Sequence, residues 1–180
     1  MCDKIYKRGG FMDTIECIFK RRSVRKFKQD KVDDEIIQKL LECAMAGPSA
    51  VNKRPWEFYV IKSEEKLERI KKTSLFSKFN APLAIIVAGN TLRSLSIKKN
   101  DFWIQDCSAA IENILLAATS LGLGTVWCGI YPMDGAVKRV QKELDIPKHI
   151  IPLGLVYIGY PDQFPEPRTQ YDEKRVHIIE

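Results

Sequence analysis

Six consecutive apolar residues, Leu83-Ala84-Ile85-Ile86-Val87-Ala88, follow Pro82. A strand that is apolar on both faces must lie inside a sheet. Further along, Ile111, Ile114, Leu115, Ala118 and Leu121 recur at intervals of three and four within residues 102–121, the spacing of a helical stripe. Ala109, Ala110, Ala117 and Ala118 allow that helix close packing, which places it at the centre of the molecule.

The remaining segments fit around this pair. Ile15, Ile18 and Phe19 share one face of a helix expected over Met12–Lys20, whose C-terminal end delivers Arg21 and Arg22. A second helix begins at Asp33 or Asp34, buries Ile36, Ile37, Leu40, Leu41 and Ala44, and stops at Gly47-Pro48. Phe58–Ile61 reads as a strand, and Ser63 opens a charged helix over Glu64–Lys72. Leu121-Gly122-Leu123-Gly124 ends the long helix, and Thr125–Ile130 follows as a strand or extended segment. Asp134–Leu144 is a short helix and Leu153–Gly159 the last core strand. Pro161, Pro165 and Pro167 keep the stretch after Tyr160 from starting as a helix, so it reads as an extended arm. Val176–Ile179 is a candidate edge strand. Four strand candidates among helices, with neither βαβ alternation nor a run of hairpins, predict an α+β fold: a central mixed or antiparallel sheet packed by helices.

A chain of 180 residues is expected to form one domain with a sizeable core. Residues 1–11 read as a polar extension, with Met12 a plausible alternative start, leaving 12–180 as the folded unit. The apolar runs are too short to span a membrane, and the opening residues do not resemble a signal peptide. Five cysteines without a Cys-x-x-Cys pair, and two histidines, argue against a disulfide framework and a common zinc site. Reduced thiols in a cytoplasm are the plain expectation. The net charge is +6, and ten of the 29 Lys/Arg fall within residues 4–31, which points to an anionic partner: nucleic acid, a membrane surface or a phosphorylated small molecule.

Two motifs narrow that choice. Arg21-Arg22-Ser23-Val24-Arg25-Lys26-Phe27 gathers guanidinium groups and a hydroxyl able to hold a phosphate through forked, charge-assisted hydrogen bonds. A solvated basic helix end is the competing explanation. Gly47-Pro48-Ser49-Ala50-Val51-Asn52-Lys53-Arg54-Pro55-Trp56 can bring backbone groups and an Asn amide against a flat ring, or can simply connect a helix to a strand. Trp56 suits the core. Gly124–Gly129 can offer main-chain N–H groups to a ring edge or pack as a buried strand. Cys128 has no neighbouring histidine to activate it and is expected to pack. Arg168, in the arm, can return to the phosphate or stay exposed. No G-x-G-x-x-G follows a strand, and no P-loop lysine pattern occurs.

Taken in order, these pieces resemble the nitroreductase family of FMN-dependent oxidoreductases. The resemblance rests on Ile15-Glu16 to Phe27, Gly47 to Trp56, Ala81-Pro82 before the apolar strand, Leu121-Gly122-Leu123-Gly124-Thr125, and Gly159-Tyr160-Pro161 leading to Pro167-Arg168. It implies an α+β homodimer with two FMN sites at the subunit interface. Arg21, Arg22, Ser23 and Arg25 would bind the phosphate and ribityl side from one subunit. Pro48, Ser49, Ala50 and Asn52 would come from the other. Cys128 and Gly129 would lie along the isoalloxazine ring, Arg168 would return to the phosphate, and the arm would embrace the partner. NADH or NADPH would donate hydride, and a nitroaromatic, quinone or related small molecule would accept electrons in the same site. The chemistry would be the flavin's own and would need no side-chain acid or nucleophile. Phe102 and Trp103 lie in the segment expected to cover the open ring face. Residues 90–104 match no family pattern for a substrate pocket. Two rivals remain: a flavoprotein specialised for one metabolite or for flavin carriage, and a basic nucleic-acid-binding module.

Overall fold

The computed structural model describes residues 12–73, 78–95 and 102–180. The proposed extension over residues 1–11 lies outside that range. In chain order the elements are α1 (Thr14–Lys20), α2 (Asp34–Met45), a 3-10 turn (Ala50–Asn52), β1 (Trp56–Ile61), α3 (Glu64–Lys71), β2 (Leu83–Asn90), α4 (Phe102–Ser120), β3 (Gly124–Gly129), α5 (Asp134–Glu143) and β4 (Ile150–Gly159).

The four strands form one sheet in the order β1-β2-β4-β3, antiparallel at every pairing. β2 is interior, as its composition requires, and both of its faces are covered. Leu83, Ile85 and Val87 face a layer that includes Leu40 and Ala44 of α2 and Ile111, Ile114 and Ala118 of α4. Ala84, Ile86 and Ala88 face a second layer with Leu67 and Ile70 of α3 and Val137 and Val140 of α5. Antiparallel sheets often leave one side wet. This one does not, which is why β2 shows no polar alternation. Each fully buried Leu or Ile in these layers contributes ~1.5–3 kcal/mol of transfer free energy, before chain entropy is set against it.

Local chemistry sets the helix ends. The Asp13 carboxylate accepts the Ile15 N–H at 2.9 Å and starts α1. The Ser63 hydroxyl accepts the Lys66 N–H at 3.4 Å and starts α3. Ile36 and Ile37 donate to the Asp33 carbonyl at 3.0 Å, so Asp33 opens α2, although its side chain makes no capping bond. The apolar face of α1 is not spent on the core. Ile15, Ile18 and Phe19 are exposed, and only Cys17 of that helix is buried. Val176–Ile179 forms no strand, and Ile178 and Ile179 stand in solvent.

Two irregularities position the site. The register of β2 against β4 shifts between Val87 and Ala88, where Val87 faces Gly154 and Ala88 faces Pro152. Proline cannot donate to a ladder, so a bulge beside Pro152 is physically apt. The skipped residue, Leu153, turns its carbonyl to the end of β3, where it accepts from Ile130 at 2.9 Å and Tyr131 at 3.1 Å. At the other end of β3, the basic segment docks on the sheet edge. Val24 donates to the Thr125 carbonyl at 2.8 Å, and Ser23 pairs with Thr125 in a parallel bridge. A Cβ on Gly124 would stand 2.7 Å from Val24 Cγ1, so Val24 fills the space of the missing side chain.

Candidate functional site

Docked against β3, residues 21–25 run extended, and extended chain sends alternate side chains to opposite sides. Arg21 and Ser23 enter one cleft, walled also by Thr125, Trp127 and Gly129 of β3 and by Tyr131, with a volume of about 370 Å3. Thr125, Trp127 and Gly129 fall on one face of β3 by the same period of two. Arg21 Nε lies 3.6 Å from Glu112 Oε1 of α4. Arg25 is close enough to Cys128 for its charge to act on the thiol. Arg22 goes the other way. Its Nη1 donates to the Glu166 carbonyl, in a separate cleft of about 330 Å3 shared with Phe164, Pro165 and Pro167.

Gly129 leaves room. A Cβ there would meet nothing nearer than the Tyr131 carbonyl oxygen at 4.0 Å, so the end of β3 offers open space beside main-chain groups. Cys128, one residue earlier, sends its half-buried side chain against the layer of α3 and α5. Burial pushes its thiol up to about 11, although the nearby Arg25 charge pulls the other way. A thiol in that state is protonated at neutral pH and is a poor nucleophile.

Pro48, Ser49, Ala50 and Asn52 sit elsewhere, between α2 and β1, and none of them walls the Arg21–Gly129 cleft. Their turn is unusual: Val51 (φ 50°), Asn52 (φ 54°) and Arg54 (φ 49°) are all left-handed without being glycine. Local bonds hold it, from Asn52 N–H to the Ser49 carbonyl at 2.9 Å and from Arg54 N–H to Ser49 Oγ at 2.9 Å. One bond reaches another element: Ala50 N–H donates to Asp106 Oδ1 of α4 at 2.8 Å. Asp106 is 4% exposed, and its Oδ2 has no hydrogen-bond partner among the described residues. Burial raises its carboxyl above the ordinary carboxylate range, and the Ala50 N–H only partly opposes this.

Arg168 is exposed in the chain beyond β4. The Arg22 bond to Glu166 fixes backbone two residues before it, and Asp162 N–H donates to the Lys26 carbonyl at 3.0 Å, so this part of the tail runs beside the basic segment. Trp103 corrects an expectation. It is 2% exposed, its ring lies over Gly89, and it meets Tyr131 edge-on at 5.0 Å, so it is a core residue and not a cover for a ring. Phe102 is half-buried at the start of α4, and residues 96–101 of the expected covering segment lie outside the described residues. Trp56 is buried, as its residue type suggests.

The profile of the nitroreductase family matches residues 18–77 and 71–160. The chain belongs to the nitroreductase family. It is 44% identical over 170 residues, 93% of this chain and 87% of the relative, to a protein of Methanothermobacter thermautotrophicus described as a candidate NADH dehydrogenase/NAD(P)H nitroreductase. A crystal structure of the same description from Parabacteroides distasonis superposes with a TM-score of 0.86 at 40% identity, covering 92% of this chain and 96% of that one. A structure named as an FMN-dependent nitroreductase from Clostridium difficile R20291 superposes with a TM-score of 0.83 at 33% identity, covering 92% of this chain and 99% of that one. Membership of the family makes the protein an oxidoreductase on the nitroreductase scaffold.

The structure adds residues that the motifs did not single out. Glu112, Trp127 and Tyr131 border the cleft, and Asp106 anchors the Ala50 turn. Helical spacing held a signal for Asp106. It falls three residues after Trp103 and four before Ala110, on the buried side of α4, where a carboxylate is out of place. No comparable signal marks Glu112, whose role follows from Arg21 bending over α4.

Proposed function

We propose that this protein is an FMN-dependent NAD(P)H oxidoreductase that acts as a homodimer and reduces nitroaromatic, quinone or related acceptors by a ping-pong route. The observation that carries the reading is the cleft where Arg21 and Ser23 meet the open backbone of Gly129, in a chain of this family. A structure 33% identical to it is named FMN-dependent, which supports the choice of cofactor.

The residues present suit that group. Guanidinium forks at Arg21 and Arg25 and the Ser23 hydroxyl match a phosphate ester. Glu112 orients Arg21 from the side. The absent side chain of Gly129 lets a ring edge approach main-chain N–H groups. Arg22 ties down the tail so that Arg168 can return toward the phosphate. Pro48, Ser49, Ala50 and Asn52 would complete the site from the partner subunit, in keeping with their separation from the Arg21 cleft within one chain. Burial of the exposed stripe Ile15, Ile18 and Phe19 on α1, and of Phe164, Ile178 and Ile179 in the tail, would drive dimerisation, with the tail wrapping the partner. Residues 12–180 then form one cofactor-binding unit.

Bound FMN would supply hydride acceptance and onward electron transfer. The chain's own residues bind and orient it, exclude water from its buried side and leave one face open to donor and acceptor in turn. None has to act as a nucleophile, which agrees with the protonated state of Cys128.

The test is direct. Freshly purified protein should show a flavin absorption spectrum and should oxidise NADH or NADPH with quinone and nitroaromatic acceptors. A yellow protein without turnover on either acceptor would point to flavin carriage or to a single metabolite. A colourless protein that cannot be loaded with FMN, and that binds random DNA or RNA in a salt-sensitive way, would overturn the reading.

A further inference from the structure

The buried face of α4 is apolar through Trp103, Cys107, Ala110, Ile111 and Ile114, with Asp106 as the exception. Burying a carboxyl in such company costs free energy unless it gains something specific. Nothing in α4 itself uses it. Its bond goes to Ala50, 56 residues away in sequence, at the start of the left-handed turn.

That turn needs outside support. Left-handed backbone is uphill for any L residue and most of all for a β-branched one such as Val51. Residues held this way persist when their surroundings over-determine them. The bonds within the turn join neighbours only: Asn52 and Arg54 donate to Ser49, and Lys53 donates to Ala50. Among the described residues, the hydrogen bond joining the turn to another element is the one from Ala50 to Asp106. The carboxylate thus fixes the turn against the longest helix of the molecule.

We propose that Asp106 is a positioning residue for the cofactor: by holding the Ala50 N–H it sets where Ser49 and Asn52 present their polar groups. This rests on the reading that the turn faces FMN. Without the anchor the turn relaxes before binding, and the ligand must reorder it on arrival.

FMN titration of the full-length apoprotein, followed by flavin fluorescence, tests this in wild type, Asp106→Ala, Asp106→Asn and Ala50→Pro. Loss of one hydrogen bond to a charged group should weaken FMN binding about tenfold to a hundredfold in Asp106→Ala. Asp106→Asn keeps an oxygen in the same place and should stay within about threefold of wild type. Amide exchange at Ala50 should quicken in Asp106→Ala and not in Asp106→Asn, with the amides of β2 and β4 unmoved in both. Unchanged FMN affinity in Asp106→Ala, or equal loss in the Asn variant, would overturn the proposal. If Asp106→Ala fails to fold, Ala50→Pro removes the donor instead, and wild-type affinity there would be equally damaging. If wild type itself takes up no FMN, the functional reading fails separately. The anchoring claim then stands or falls on Ala50 exchange: quickened exchange confined to Asp106→Ala supports it, and unaltered exchange in Asp106→Ala, or quickened exchange in Asp106→Asn, counts against it.

Discussion

Gly89 and Gly154 each lie under a tryptophan, and the same substitution should have unequal consequences. A Cβ at Gly89 would stand 2.3 Å from Trp103 Cε3, and a Cβ at Gly154 would stand 2.2 Å from Trp127 Nε1. Neither contact is tolerable, so in each alanine variant the ring must move. Trp103 is 2% exposed, clasped between β2 and Tyr131, and has nowhere to go. Overpacking there, together with loss of the edge-on pair, should cost about 3 kcal/mol. Trp127 is 37% exposed and opens onto the Arg21 cleft, so its indole can swing outward. If a third of the ring's burial is given up, roughly 60 Å2 at ~25 cal/mol/Å2 comes to ~1.5 kcal/mol. The reduced chain entropy of alanine in the unfolded state returns about 0.5 kcal/mol in both variants. Urea denaturation of the apoprotein should therefore place Gly89→Ala some 1–2 kcal/mol below Gly154→Ala, a gap of about 2–8 °C in Tm for a chain of this size. Gly154→Ala should also redshift the tryptophan emission. Equal destabilisation by the two substitutions would refute the idea that freedom of the neighbour decides the cost.

Arg21→Glu should weaken FMN binding by about a hundredfold or more, since it replaces a charge-assisted bond with repulsion. Arg22→Glu should change FMN affinity by less than about tenfold and should loosen the tail instead, because its guanidinium serves the Glu166 carbonyl. Equilibrium dialysis of both variants would expose an error if Arg22 proved the more damaging site. For Cys128, a native thiol raised to about 11 is about 0.1% ionised at pH 8, so alkylation read by peptide mass mapping should be at least about a hundredfold slower than for a free thiol. Its rate should climb about tenfold per pH unit without levelling off below pH 9, and an early plateau would show that the thiol is not suppressed.

How much of this is visible in the sequence depends on whether the deciding force is local. α2, α3, α4 and α5 start and stop within two residues of their expected ends, because stripes and breakers such as Gly47-Pro48 act within a few residues. The interior place of β2 is legible for the same reason, and the antiparallel pairing resolves the choice left open between mixed and antiparallel sheets. Long-range facts are not legible in this way. Ile15, Ile18 and Phe19 have the period of a buried face, yet the period does not say what covers them. Arg21 and Arg22 look equivalent in a run of cations. Only docking of Val24 on Thr125 sends one into the cleft and the other to the tail. Trp103 reads as an aromatic near an open site until Gly89 supplies the space beneath it. The bond from Asp106 to Ala50 spans two elements whose meeting depends on the whole sheet, although an acid on the inner side of α4 was a clue.

The seating of Val24 over Gly124 has a kinetic consequence. Because Val24 is seated there by its hydrogen bond and its side chain, the backbone that carries Arg21 and Arg25 is in place before any anion arrives. If these residues hold the cofactor phosphate as proposed, its capture should run close to the pace of encounter, faster in dilute buffer and slower as the screening length shrinks toward ~10 Å at 0.1 M salt. A residue larger than glycine at position 124 would free the edge, and the same anion would have to wait for the strand to settle.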